Sequence, residues 1–223
     1  MTERRLDGRV ERGNQTRRLV LQRTVQVGST EGLEALSLGR LATELKLSKS
    51  GVFALFGSKE ELQLATIRAA SKIYVDNVVR PALAHPPGLR RIWELSESWI
   101  RYSSERVFPG GCFFQKVSAE YSSRVGPVPD AIRSADSGWR GFIRQTIVEA
   151  QDAGDLTSDR TAEQLTFELT AFWESSNTQS VLMDSEAPYV QARTAVRALL
   201  RAASTMEADF LREPVLSRSA GSR

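Results

Sequence analysis

Leu47-Ser48-Lys49-Ser50-Gly51-Val52-Phe53-Ala54-Leu55-Phe56-Gly57-Ser58-Lys59-Glu60-Glu61-Leu62 is the stretch on which the reading of the N-terminal part turns. Ser48 offers an N-cap oxygen ahead of Val52, Leu55 and Phe56, whose i, i+3, i+4 spacing is the apolar stripe of a short helix. Ser58 and Glu61 have the capping-box spacing, so another helix opens at Lys59, with the serine accepting the N3 amide and the N3 carboxylate reaching back. Upstream, Ser37 stands as N-cap before Leu38, Leu41, Ala42 and Leu45, a helix of about two turns. Two short helices joined by a tight turn are what a reader of the DNA major groove requires, one bracing the backbone and the next entering the groove. The same pattern also suits a helical corner with no nucleic-acid role.

Outward from this stretch, residues 16–27 place Val20, Leu21, Val25 and Val27 on one side of a first helix, and residues 28–32 read as a break. Residues 1–13 hold four arginines and only two large aliphatics, too little apolar surface to offset ordering entropy, and are expected to form a mobile basic arm. The helix opened at Lys59 is expected to run to about Arg80, where Pro81 stops it. Helical spacing then recurs over residues 89–107, 112–123, 132–153, 161–183 and 189–210, with no period-two strand and no internal repeat. The expected architecture is all-α with about nine helices: arm 1–13, three-helix helix-turn-helix domain 14–62, helical bundle 63–210 and a disordered Ser- and Arg-rich tail 211–223.

Composition narrows the function classes. The chain has 223 residues, 41% hydrophobic and 26% charged, with a net charge of +3. Residues 1–75 carry 13 Lys and Arg against 8 Asp and Glu, and the remainder 17 against 19, so the basic end is where a polyanion would bind. One cysteine, Cys112, excludes an internal disulfide and a multi-cysteine zinc site. One histidine, His85, lies beside Pro86-Pro87, and neither a Gly-rich phosphate loop nor metal-ligand spacing appears, so no catalytic residue, metal or cofactor is expected. Carboxylates such as Asp152 and Asp155 read as solvated helix ends. No stretch has the roughly 18 apolar residues of a membrane span, and a cytoplasmic location is expected.

Residues 17–64 resemble the N-terminal domain of the tetracycline-repressor family. The resemblance rests on Val20-Leu21, Gly32, Ser37 and Leu41-Ala42, followed by Ser48-Lys49-Ser50-Gly51-Val52-Phe53 and Phe56-Gly57-Ser58-Lys59-Glu60-Glu61-Leu62. It implies a helix-turn-helix with Ser37 and Lys59 on phosphates and Lys49, Ser50, Gly51 and Phe53 on the groove-facing helix. Phe53 stands where the family usually has Tyr, keeping the ring but losing a hydroxyl for phosphate, and Ala54 and Leu55 replace positions that are often polar. Arg23, Thr24 and Gly28 replace the family's Ala, Ala and Phe, which leads one to expect looser packing of the first helix.

All four tryptophans fall within residues 89–175 together with most of the other rings. Such clustering is either bundle core or the wall of a ligand cage, and the resemblance implies a cage for a mostly apolar small molecule. Trp93, Trp99, Phe108, Cys112, Phe113, Tyr121, Trp139, Phe142 and Trp173 are the candidate ligand-binding residues, with Ser103, Gln115 or Glu120 as orienting groups. Cys112 at a helix start could be a reactive thiol, but Phe113 and Phe114 beside it favour a buried, inert one. The resemblance implies a homodimer through the last two long helices, 161–183 and 189–210. The expected function is thus a ligand-responsive transcriptional regulator, a repressor on a pseudo-palindromic operator. A small-molecule-binding module or an enzyme without DNA binding remains the alternative.

Overall fold

The computed structural model describes residues 2–212, with side chains for Glu11 and from Gly13 onward. Ten α-helices follow one another: α1 (Thr2–Thr30), α2 (Leu38–Glu44), α3 (Lys49–Phe56), α4 (Lys59–Tyr74), α5 (Arg80–Leu83), α6 (Leu89–Ser104), α7 (Phe113–Tyr121), α8 (Pro127–Asp152), α9 (Ala162–Met183) and α10 (Ala187–Ala203). A π-helical turn, Val75–Val79, joins α4 to α5, and a short 3-10 turn, Asp209–Leu211, follows α10. Among the described residues there is no strand, only one isolated bridge between Leu156 and Ser204, and no helix long and apolar enough to cross a membrane. The all-α architecture read from the sequence is the one observed.

The three serine caps stand as the sequence places them. Ser37 accepts from the Arg40 amide, Ser48 from Gly51 and Ser58 from Glu61, each at 3.0–3.1 Å. Each satisfies an amide that the helix cannot, typically worth about 1 kcal/mol. The turn between α2 and α3 is closed by Lys46 in a left-handed conformation, φ 56°. Val20, Leu33, Leu36, Leu41, Val52 and Leu62 are fully buried around these three helices, and their burial rather than helix propensity holds two such short elements in place.

Helix ends differ from expectation at several points. α1 begins at Thr2, so the backbone of the expected arm is helical; without a proline to stop it, propagation from a formed helix costs far less than nucleation. α1 also passes through Gly28 to Thr30 instead of breaking there. The segment 80–83 is helical in spite of Pro81, because the π turn places the Arg80 amide on the Val75 carbonyl, an i to i−5 bond, and widens the helix before the proline ring. Asn77 Nδ2 donates to the Ile73 carbonyl at 2.8 Å within this irregular stretch. α10 ends at Ala203, and Leu211, expected in a disordered tail, is buried; the rest of that tail, from residue 213, lies outside the described residues.

The looser first helix is corrected too. Arg23 pairs with Glu44 at 2.7 Å, and the Thr24 and Thr66 hydroxyls meet at 2.9 Å between α1 and α4. Gly28 makes room for α7: a Cβ there would lie 2.7 Å from Cε2 of Phe113, so the ring occupies the place of a larger α1 side chain. Asp155, read as a solvated helix end, accepts from the Leu89 amide at 2.9 Å and caps α6. Beyond α5, α9 packs between α8 and α10, and α6 lies against α8, α9 and α10.

Candidate nucleic-acid interface and cavity

α3 buries Val52 and Phe56 and turns Lys49, Ser50, Gly51, Phe53 and Ala54 outward; Phe53 is 57% exposed. An exposed ring and an ammonium on a helix whose first turn is small and polar can approach a polyanion closely. Leu55 is half-buried, and its carbonyl accepts from Arg17 Nη1 at 2.8 Å while the guanidinium lies 4.6 Å from the Phe56 ring centre. Arg17 therefore ties α1 to the end of α3, a role that its place among several arginines did not single out. Ser37 is exposed at the start of α2, where its oxygen is engaged as the N-cap.

Lys59 is differently placed from the free phosphate donor that was expected. Its Nζ donates to the Glu34 carbonyl at 2.7 Å and to Glu34 Oε2 at 2.9 Å, with both side chains still nearly half exposed. A phosphate at Lys59 would compete with Glu34. That carboxylate also accepts from the Tyr121 hydroxyl at 2.7 Å and from Arg124 Nη1 at 2.8 Å. Lys59 first, and Tyr121 next, hold the Glu34 carboxyl at a pKa of about 2. Conversely, burial and the Glu34 carboxylate push the Tyr121 phenol upward, so it stays protonated and donates.

The same segment is gripped from α7 by a second acid. Glu120 accepts the Leu33 amide at 2.7 Å and the Glu34 amide at 2.9 Å. Gly32 permits this approach: its φ is +92°, and a Cβ would sit 2.5 Å from Glu120 Oε2. Gln63, buried on α4, donates to the Leu33 carbonyl at 2.9 Å and to the Tyr121 hydroxyl at 3.1 Å. The loop leading into α2 is thus fastened to α7 and α4 by side chains about 30 to 90 residues away in sequence.

Tyr121 also lines a cavity of about 860 Å³ between α4, α6, α7, α8 and α9. Six of the nine candidate ligand residues line it: Trp99, Cys112, Tyr121, Trp139, Phe142 and Trp173, with Gln115 among the orienting groups. Trp93, Phe108 and Phe113 do not. Trp93 lies beneath the Arg197 guanidinium, and Phe108 and Phe113 pack on each other and on Tyr102 and Phe114 in the core. Ser103 is engaged with Asn177 and Tyr189, and Glu120 with the α2 loop, so neither orients anything in the cavity. Burial pushes the Cys112 thiol pKa up, as an inert cysteine requires.

The wall contains residues that the sequence reading passed over. Tyr74 meets Trp139 edge-on, with ring centres 4.8 Å apart, and Trp173 stacks on Trp99 at 5.7 Å. Arg140 on α8 is held by Asp136 at 3.0 Å, Glu174 at 2.8 Å and Thr170 at 2.7 Å. Burial raises the Glu174 pKa, and Arg140 opposes that shift. In sequence Asp136 and Arg140 look like an ordinary i, i+4 surface pair; only the packing of α9 on α8 adds Glu174 and brings the group to the cavity.

Residues 20–66 match the family model described as bacterial regulatory proteins, tetR family, and residues 88–196 match that of the tetracyclin repressor-like C-terminal domain. No curated protein sequence matches the chain. Among solved structures, a TetR transcriptional regulator from Chloroflexus aurantiacus is 19% identical with a TM-score of 0.77, covering 86% of this chain and 95% of its own. A transcriptional regulator from Saccharomonospora viridis in complex with choline is 20% identical with a TM-score of 0.70, covering 84% and 96%. AibR in complex with isovaleryl coenzyme A and operator DNA is 14% identical with a TM-score of 0.61, covering 73% and 85%.

Proposed function

Because the chain belongs to the tetracycline-repressor family of transcriptional regulators, we propose that it works as a homodimeric repressor, holding a pseudo-palindromic operator through α3 and releasing it when a small, mostly apolar molecule fills the cavity. The observation that carries this reading is the position of Tyr121, which lines the cavity and donates to Glu34 on the loop before α2. A molecule that displaces Tyr121 breaks that bond and loosens the loop on which α2 and α3 are hung.

Lys49, Ser50, Gly51 and Phe53 face the groove, and Ser37 and Lys59 approach phosphates, Lys59 by exchanging Glu34 for DNA. The outward faces of α9 and α10 carry Phe167, Val181, Leu182, Met183 and Val190, each at least 45% exposed, and these form an isologous contact with a second copy. The dimer sets two α3 helices about 34–36 Å apart, one turn of DNA. An effector need only favour a state with another spacing: a coupling of about 1–3 kcal/mol changes DNA affinity 5–150-fold, and operator DNA weakens the effector equally. Two of the similar solved proteins were crystallised with small molecules, choline and isovaleryl coenzyme A, and the latter also with operator DNA.

A salt titration of binding to random-sequence duplex DNA, followed by fluorescence anisotropy, tests the first half of this reading. The wild type should show a steep negative salt slope, and a Lys49→Ala, Lys59→Ala double variant a shallower one. If neither protein binds at low salt, the regulator reading falls.

A further inference from the structure

The cavity wall is not uniformly apolar. Asp136, Arg140 and Glu174 meet at one side of it, two carboxylates around one guanidinium, with a formal charge of minus one. Arg140 has no donor group to spare: Nε is on Asp136, Nη1 on Thr170 and Nη2 on Glu174. The other arginine in the wall, Arg133, is committed to Asp130, outside the cavity. An anion entering here would have to displace two carboxylates from Arg140, whereas a cation meets carboxylate oxygens that a single arginine leaves under-compensated. Beside this group stand Trp99, Trp139, Trp173, Tyr74 and Phe142, rings whose faces attract positive charge. Two polar atoms of these same rings, the Trp173 indole N–H and the Tyr74 hydroxyl, are buried without a hydrogen-bond partner, a cost that a polar ligand atom would relieve.

We propose that the effector is an organic cation, its apolar body among Trp99, Trp139, Trp173 and Tyr74 and its positive charge on Asp136 and Glu174. This rests on the reading of the cavity as an effector site and adds the chemical class. The cation completes the charge of the Asp136–Arg140–Glu174 group, and Arg140 keeps the two acids spaced while the site is empty. An uncharged molecule of the same shape gains the ring contacts and forgoes the rest.

Three probes of nearly one shape separate the terms: benzyltrimethylammonium, its uncharged carbon isostere neopentylbenzene, and phenylmethanesulfonate. Binding to the full-length protein is followed by calorimetry and tryptophan quenching. The cation should bind at least about tenfold tighter than the isostere, and the sulfonate weakest. In an Asp136→Asn, Glu174→Gln variant the preference should vanish while the isostere binds as before and the circular dichroism is unchanged. Equal binding of cation and isostere by the wild type, a preference for the sulfonate, or no binding of any probe overturns the proposal, and the wild-type comparison stands even if the variant does not fold. Failure here leaves operator release by uncharged molecules open to its own test, so the charge assignment and the effector reading fall separately.

Discussion

The hydroxyl of Tyr121 donates to the Glu34 carboxylate at 2.7 Å, joining a residue of the cavity wall to the loop that leads into α2. In Tyr121→Phe that bond is lost while Lys59 and Arg124 stay on Glu34. Thermal unfolding should show a loss of about 1–2 kcal/mol, the range for a hydrogen bond to a charged group. Operator affinity should change as well, at unaltered salt slope. An operator affinity equal to wild type would mean that this bond is not part of the coupling.

Glu34 also gives the protein an acid-sensitive contact. Its carboxyl is held at about 2, below the ordinary carboxylate range, so its contribution is fully present above about pH 4.5 and is lost as the pH falls towards 2. Glu34→Gln should therefore be less stable than wild type near neutrality, and the gap should close below pH 4. A gap independent of pH would assign the loss to packing.

Lys59 is shared between Glu34 and any phosphate it meets. Lys59→Ala should weaken operator and random DNA by similar factors and reduce the salt slope by about one. A loss confined to the operator would argue against a phosphate role. Glu34→Ala should raise non-specific affinity, since it frees the Nζ from its present partner.

Gly28 is filled by a neighbour. Gly28→Ala gains up to about 1 kcal/mol of helix propensity but drives a methyl into the fully buried Phe113 ring, an overpacking cost of about 1–3 kcal/mol. The melting temperature should fall, and adding Phe113→Leu should recover part of the loss. A rise in the single variant would contradict the close approach of α1 and α7.

Leu182, 78% exposed near the end of α9, tests the dimer. Sedimentation should give twice the chain mass for the wild type and the chain mass for Leu182→Glu, with equal helix content. A wild type that sediments as a single chain would remove the basis for paired half-sites.

Local rules made much of this legible. Ser37, Ser48 and Ser58 announce three helix starts because a cap is decided within four residues, and the stripe Val52, Leu55, Phe56 divides α3 into inner and outer faces. What stayed hidden depends on partners far along the chain. Nothing near Glu34 announces Tyr121, Arg124 and Lys59, and nothing near Trp93 or Phe113 distinguishes a ring in the core from the cavity-lining Trp99 and Phe114. Pro81 misled for a related reason: its effect on the helix was cancelled by an irregular turn just before it, which no single residue encodes.

That turn makes the length of the helix from Lys59 to Leu83 as consequential as its composition. Each residue of a helix advances the chain by about 100° around the axis. Deleting one residue within Val75–Val79 would restore a regular spiral and swing everything after it by about that angle, carrying the fully buried Ala82 out of the interior and turning the entry to α6 away from its seat. Replacement of these five side chains one at a time would leave the offset intact. A frame of single-codon deletions would expose it, because here the protein stores information in the count of its residues.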